Sequence, residues 1–329
     1  MTASSDAPID RPVLAAFLGV VLFGGLNAIA AKATVGELAP FWGAAVRFVA
    51  AGAIMAGVVI LGRRAFPRGR SLTGGMLYGA VGFAASYGLI YTGLRDAPAG
   101  TAMVLIALTP LFTFGLAIAQ GQERFRVQGL VGALVALAGV ALVFADQVSA
   151  NVPVGSLVLV VLGTVCIAET GVIIKWIPRS DPFGTNAVAM LTGGAILLIA
   201  SLVAAEPWAV PAETATWAAV GYLVLLGSVA MFALYVFALA RWTASAVSYV
   251  TLLMPLVTVA VAAVVTAERV STALLAGGAI VLVGVYVGAF LRIPRRTSAS
   301  SLPECLPIDA CAEALPTAGL PRTADGAAV

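Results

Sequence analysis

Long apolar runs broken by short polar loops dominate the chain, falling near residues 13–31, 41–61, 72–93, 98–119, 127–144, 154–177, 184–204, 215–238, 245–266 and 272–291. A helix rises 1.5 Å per residue, so about 20 apolar residues cover a hydrocarbon core of about 30 Å. The pattern therefore predicts an all-α integral membrane protein with ten transmembrane helices and both termini on one side. Ala28-Ile29-Ala30 looks like a signal cleavage site. However, the run before it exceeds the roughly 7 to 15 residues of a signal core, and Arg11 is the one basic residue ahead of it, so it reads as an uncleaved first span.

The runs repeat. Residues 91–144 superpose without a gap on 236–289 at an offset of 145, with 14 of 54 positions identical, including Pro110 on Pro255, Glu123-Arg124 on Glu268-Arg269, Gly132 on Gly277 and Gly139 on Gly284. Chance in so Ala/Val/Leu/Gly-rich a chain gives roughly five identities. The reading is an N-terminal segment 1–12, a first half 13–144, a linker 145–153, a second half 154–291 and a tail 292–329. An odd number of spans per half makes the second enter the bilayer from the opposite side. Inverted halves are the architecture of alternating access, because two similar units can exchange inward-open and outward-open shapes at nearly equal energy.

Composition agrees with the membrane reading: 61% of residues are hydrophobic and 10% charged, against about 25% charged in soluble domains. A net charge of +3, carried in loops, gives no reason to expect nucleic acid as a partner. Placing the N-terminus in the cytoplasm puts thirteen Lys and Arg residues inside (Arg11, Arg63, Arg64, Arg68, Arg70, Arg124, Arg126, Lys175, Arg179, Arg241, Arg292, Arg295, Arg296) and three outside (Lys32, Arg95, Arg269). Both termini are thus expected in the cytoplasm of a cell with the protein in its inner membrane. The tail from Thr297, rich in Ser, Pro and Ala, reads as disordered. Cys166, Cys305 and Cys311 make neither a disulfide framework nor a zinc spacing, and histidine is absent. Without histidine there is no Ser-His-Asp triad. No phosphate loop or dinucleotide fingerprint occurs either, so no enzyme, cofactor or metal is expected.

The repeated set Leu94, Ala99, Leu108-Thr109-Pro110-Leu111, Glu123-Arg124, Gly132 and Gly139-Val140, with its copy Leu239, Ala244, Leu253-Met254-Pro255-Leu256, Glu268-Arg269, Gly277 and Gly284-Val285, resembles the EamA domain of the drug/metabolite transporter superfamily. Phe23-Gly24-Gly25 through Lys32, and Pro40-Phe41 with Ala45-Val46-Arg47-Phe48, look like that family's first two helices. The resemblance spans residues 13–291. It implies two inverted five-helix repeats around a central cavity and ion-driven movement, in the export direction, of a small metabolite or amphipathic compound. Expected partners are a small-molecule solute, membrane lipid and the proton gradient, with a homodimer left open. A passive channel or facilitator, or a non-transporting scaffold or sensor, is the alternative.

Candidate residues follow from the cost of polar groups in spans, about 2.5 to 3.5 kcal/mol for a charge at a helix centre. Glu169 lies about 22 Å along the sixth span by helical rise, and Lys175, six residues on, is off its face. It is either a proton or substrate-charge site in the cavity or a structural carboxyl paired to a neighbouring helix. Arg47 reads as a carboxylate or phosphate ligand, or as a lid on the inner helix bundle or one member of a static pair. Lys32 and Lys175 close the first helix of each half and read as interface anchors or ligands. Asn27 reads as interhelical glue or substrate contact. Ser245, Ser248, Thr251, Pro255 and Thr258 paint one stripe expected to face the cavity, and Pro110 and Pro255 are expected to kink their helices mid-span. Tyr87, Tyr91, Tyr235 and Tyr249 are assigned to the interfacial belt by default. Gly75 with Gly79, and Gly284 with Gly288, read as close-packing pairs.

Overall fold

The computed structural model describes residues 11–35, 37–93, 96–97, 99–143, 145, 153–178, 180–266 and 272–290, and every regular element among them is helical. The sequence expectations at Arg95, Glu268, Arg269, Cys305, Cys311 and the tail lie outside the described residues, as does the side chain of Lys32. In chain order the helices are α1 (Arg11–Val35), α2 (Pro40–Leu61), α3 (Arg70–Tyr78), α4 (Ser86–Gly93), α5 (Ala99–Ile106), α6 (Thr109–Ala119) and α7 (Val127–Val143). They continue as α8 (Val154–Trp176), α9 (Pro182–Val203), α10 (Thr214–Val224), α11 (Met231–Leu239), α12 (Ala244–Ser248), α13 (Val250–Thr266) and α14 (Thr272–Val285). A π-helical turn at Gly79–Ala85 joins α3 to α4, another at Leu225–Ala230 joins α10 to α11, and a third at Tyr286–Phe290 follows α14.

Five helical stretches, Arg11–Ala31, Pro40–Leu61, Val154–Trp176, Pro182–Val203 and Thr214–Leu239, are long and apolar enough to cross a bilayer, and four shorter apolar helices accompany them. Packing respects the sequence repeat. From the first half, α4 and α6 lie on α8 and the Gly79–Ala85 turn on α9 of the second; from the second half, α11 and α13 lie on α1 and the Leu225–Ala230 turn on α2 of the first. Two further pairs, α2 with α9 and α7 with α14, join each half to its counterpart.

The α2–α9 pair is bolted at both ends by residues at matched positions. Both helices open on Pro-Phe, where the missing proline N–H costs nothing in a first turn, and both end before a residue with φ of 50°, Arg63 and Ala205. The next residue of each then reaches the start of the other helix. Arg64 Nη1 pairs with Asp181 Oδ2 at 2.9 Å while Asp181 Oδ1 accepts the Phe183 and Gly184 N–H groups of α9. At the opposite end Glu206 accepts the Phe41 and Trp42 N–H groups of α2 at 3.2 and 2.9 Å. Each carboxylate satisfies donors that a helix start leaves unpaired, an effect of typically about 1 kcal/mol. The α7–α14 pair is held close by glycine: a Cβ on Gly132 would meet the backbone of Gly284 and Gly288, and one on Gly139 the backbone of Gly277 and Val281. Gly79 lies equally close to the Ala189 carbonyl.

Pro110 does not kink a continuous helix. The backbone leaves α-geometry at Ala107–Leu108, and Pro110 sits in the first turn of a new helix, α6. Proline cannot donate to the carbonyl four residues back, that of Ile106. Thr109 Oγ1 takes over that acceptor at 2.5 Å. Pro255 lies inside α13, and the interruption falls at Tyr249, one residue past α12.

Candidate functional site

Helices from both halves enclose a central cavity of ≈ 270 Å³. Its polar lining comprises Asn27, Arg47, Tyr87, Tyr91, Thr109, Thr170, Tyr235, Ser248, Thr251 and Thr258; Ile90, Ile167, Met231, Phe232, Met254 and Pro255 supply much of the apolar wall. Among the described residues Arg47 is the one Lys, Arg, Asp or Glu in that lining.

Arg47 is 4% exposed, and acceptors and ring faces surround it. Nε donates to Ser228 Oγ at 2.8 Å and Nη2 to the Gly227 carbonyl at 2.9 Å. The guanidinium lies 5.1 Å from the Phe48 ring centroid and 5.5 Å from that of Tyr87, within cation–π range. Both acceptors belong to the Leu225–Ala230 turn, where π-geometry disturbs the ordinary carbonyl-to-amide ladder and frees an acceptor to face the bundle. Asn27 Nδ2 donates to the same Gly227 carbonyl at 3.1 Å, so one turn of the eighth span binds α1 and α2 together. Gly227 must be glycine for this, because a Cβ there would overlap the Asn27 amide. Asn27 Oδ1 is left buried without a hydrogen bond.

The stripe on α12 and α13 divides by role. Ser248 and Thr251 line the cavity and return their hydroxyls to the Ser245 and Ser248 carbonyls, each at 2.8 Å. Thr258 crosses to α1, donating to the Gly25 carbonyl at 2.7 Å, where Gly24 and Gly25 let α13 approach. Ser245 is not in the cavity wall; its N–H donates to Glu123 Oε1 at 3.0 Å, so the first Glu-Arg loop caps the start of α12 in the other half. Tyr87, Tyr91 and Tyr235 line the cavity instead of forming a belt, and Tyr249 is buried against α7, donating to the Gly129 carbonyl.

Glu169 is placed differently from the expectation of a cavity carboxylate. By helical geometry it lies about 100° round α8 from Thr170 and about 160° from Ile167, both of which face the central cavity. It opens into a second pocket of ≈ 370 Å³ with Arg70, Thr73, Leu77, Gln120, Ile173 and Trp176. Gln120 Nε2 bridges its two oxygens at 2.8 and 2.9 Å. Lys175 is half-buried in the last turn of α8 and lines neither cavity. Gln120, Ser228 and Thr170 were missed by sequence reasoning, although the 145-residue offset that defines the repeat also sets Gly82 on Gly227 and would have marked both π-turns. No group of three His, Cys, Asp or Glu side chains able to hold a metal occurs among the described residues.

A helical membrane bundle built as a sequence repeat, with a cavity lined from both copies, defines a polytopic membrane transporter. The chain matches the EamA-like transporter family twice, over residues 11–145 and 155–289, and belongs to it. It is 27% identical over 219 residues to the uncharacterized inner membrane transporter YedA of Escherichia coli, covering 66% of this chain and 71% of that one. It is 30% identical over 235 residues to a probable terminal-alkyne amino-acid exporter of Streptantibioticus cattleyicolor, covering 71% and 79%. A solved structure shares the fold at a TM-score of 0.72 and 20% identity, over 85% of this chain and 96% of that one.

Proposed function

We propose that the protein is a secondary-active exporter of a small amphipathic solute bearing a carboxylate, working by alternating access of two inverted five-span halves, 13–144 and 154–291. Ten spans with both termini in the cytoplasm complete this reading. The observation that carries it is the central cavity: mostly apolar, lined from both halves, with Arg47, the one cation in its lining among the described residues, beside tyrosines. A guanidinium pre-oriented by Ser228 and Gly227 presents its remaining N–H donors without reorganisation, the arrangement that suits a planar carboxylate. Apolar walls and aromatic rings suit the rest of such a solute. Export agrees with the name of the Streptantibioticus relative. We assign coupling to the proton gradient to Glu169, which has no lysine or arginine within ion-pair distance among the described residues. The test is counterflow in proteoliposomes across a panel of aryl and alkyl carboxylates, with and without an imposed pH gradient. Saturable, gradient-stimulated exchange is expected; equal, non-saturable flux without a gradient indicates a passive facilitator, and no flux of any solute a scaffold.

A further inference from the structure

The Glu169 pocket is separate from the central cavity. Its wall shares no residue with the central cavity, and it is built where the ends of three helical elements converge: α3 through Arg70, Thr73 and Leu77, α6 through Gln120 just past its end, and α8 through Glu169, Ile173 and Trp176. Glu169 lies seven residues, about 10 Å, inside the Trp176 end of α8. A carboxylate offers roughly four lone-pair positions, and here one neutral amide nitrogen serves both oxygens. A negative charge partly withdrawn from water, held in place by a neutral donor, is complementary to a cation brought in by a ligand. The walls beside it are apolar and accessible, with Leu77 52% and Trp176 64% exposed.

We propose that this pocket binds the ammonium group of a small amphipathic monoamine entering from the aqueous phase, with its hydrocarbon part against Leu77, Ile173 and Trp176. Arg70 at the rim carries a positive charge that opposes a second ammonium, which selects monoamines over diamines. A free amine fits better than an aminophospholipid. Such a lipid carries its ammonium on the water side of its phosphate, and reaching a carboxylate about 10 Å inside the helix end would invert the headgroup. The site shares Glu169 with the proposed coupling, yet binding there requires neither solute movement nor a gradient.

The experiment is calorimetric titration of the full-length protein in maltoside detergent at pH 7 with 2-phenylethylamine. 3-Phenylpropanoate, of similar shape and opposite charge, and 1,6-diaminohexane serve as comparisons. Saturable amine binding is expected, weakened at least 20-fold in Glu169→Gln and at least 10-fold in Thr73→Trp. The second variant fills the groove from an exposed position and leaves the carboxylate in place. The acid is expected not to displace the amine, and the diamine to bind at least 10-fold more weakly. Thr73→Trp also separates the two readings, because it blocks the pocket while retaining the group assigned to proton coupling. Absent amine binding in the wild type, unchanged affinity in both variants, or displacement of the amine by phosphatidylethanolamine in nanodiscs but not by phosphatidylglycerol overturns the proposal.

Discussion

The two π-turns, Gly79–Ala85 and Leu225–Ala230, occupy matched places in the two halves and receive opposite chemistry. At the second, the Gly227 carbonyl accepts from Asn27 and Arg47, and Ser228 accepts from Arg47. At the first, the Gly82 carbonyl accepts from Ser86, four residues on in the same helical segment, at 2.5 Å. The residues standing where Asn27 and Arg47 stand in the other half are Thr170 and Ala189, by the registers that pair Lys32 with Lys175 and Pro40 with Pro182. Thr170 returns its hydroxyl to the Cys166 carbonyl, and Ala189 presents its backbone to Gly79. Both halves thus keep the same backbone interruption at the cavity wall, and one half alone adds a charge to it. On the proposed function, the turn belongs to the architecture and the guanidinium to solute recognition.

The largest effect expected from this contrast is at Arg47. Replacing it by alanine removes charge-assisted hydrogen bonds of about 1.5 to 3 kcal/mol each, so carboxylate counterflow is expected to fall about 50-fold while the protein still purifies as a monodisperse species. The glycines come next. Gly227→Ala and Gly82→Ala both crowd a neighbour, Asn27 Oδ1 in one case and Thr170 Oγ1 in the other, at an overpacking cost of about 1 to 3 kcal/mol. Both are expected to lower the melting temperature, whereas a raised apparent KM for solute is expected for Gly227→Ala alone. Equal KM changes would erase the distinction between the halves. Smaller again, Ser228→Ala loses one hydrogen bond of about 1 kcal/mol to Arg47 and is expected to cut counterflow about fivefold, while Ser86→Ala leaves it unchanged.

The smallest effect sharpens the picture at the loops. Glu37 accepts hydrogen bonds from the Thr216 hydroxyl at 2.6 Å and from the Ala212 N–H, which hold its carboxyl below the usual range. Because the folded pKa lies below the unfolded one, the stabilisation is present above the unfolded pKa and fades as pH falls through the folded value. The melting temperature of the wild type is expected to drop slightly more than that of Glu37→Gln as the pH is lowered below the usual carboxylate range.

The all-helical membrane class, five of the membrane-length helices and the duplication were legible in the sequence, because span length is set by bilayer thickness and the repeat keeps its register without a gap from 91 to 144. Arg47 and Asn27 were legible as costly polar groups in apolar runs, since each must find partners wherever the helix turns. Their partner was not, because a backbone carbonyl released by a π-turn has no side-chain signature, and Gly227 reads as one glycine among 35. Glu169 was read as a deep carboxylate from its distance along the span, but distance says nothing of azimuth, and azimuth decided which pocket it joined. Pro110 was read as a mid-span kink because proline removes a helical hydrogen bond and clashes with the carbonyl four residues back. Thr109 instead supports a full break, an outcome fixed by one hydroxyl at the preceding position.

The account depends on the two halves crossing the bilayer in opposite senses. In a background with Cys166, Cys305 and Cys311 replaced by serine, single cysteines at Arg124 and at Arg269 are labelled in sealed inside-out and right-side-out vesicles with a membrane-impermeant maleimide. Labelling of position 124 from the cytoplasmic face and of position 269 from the outer face is the predicted result. Labelling of both from the same face would contradict it.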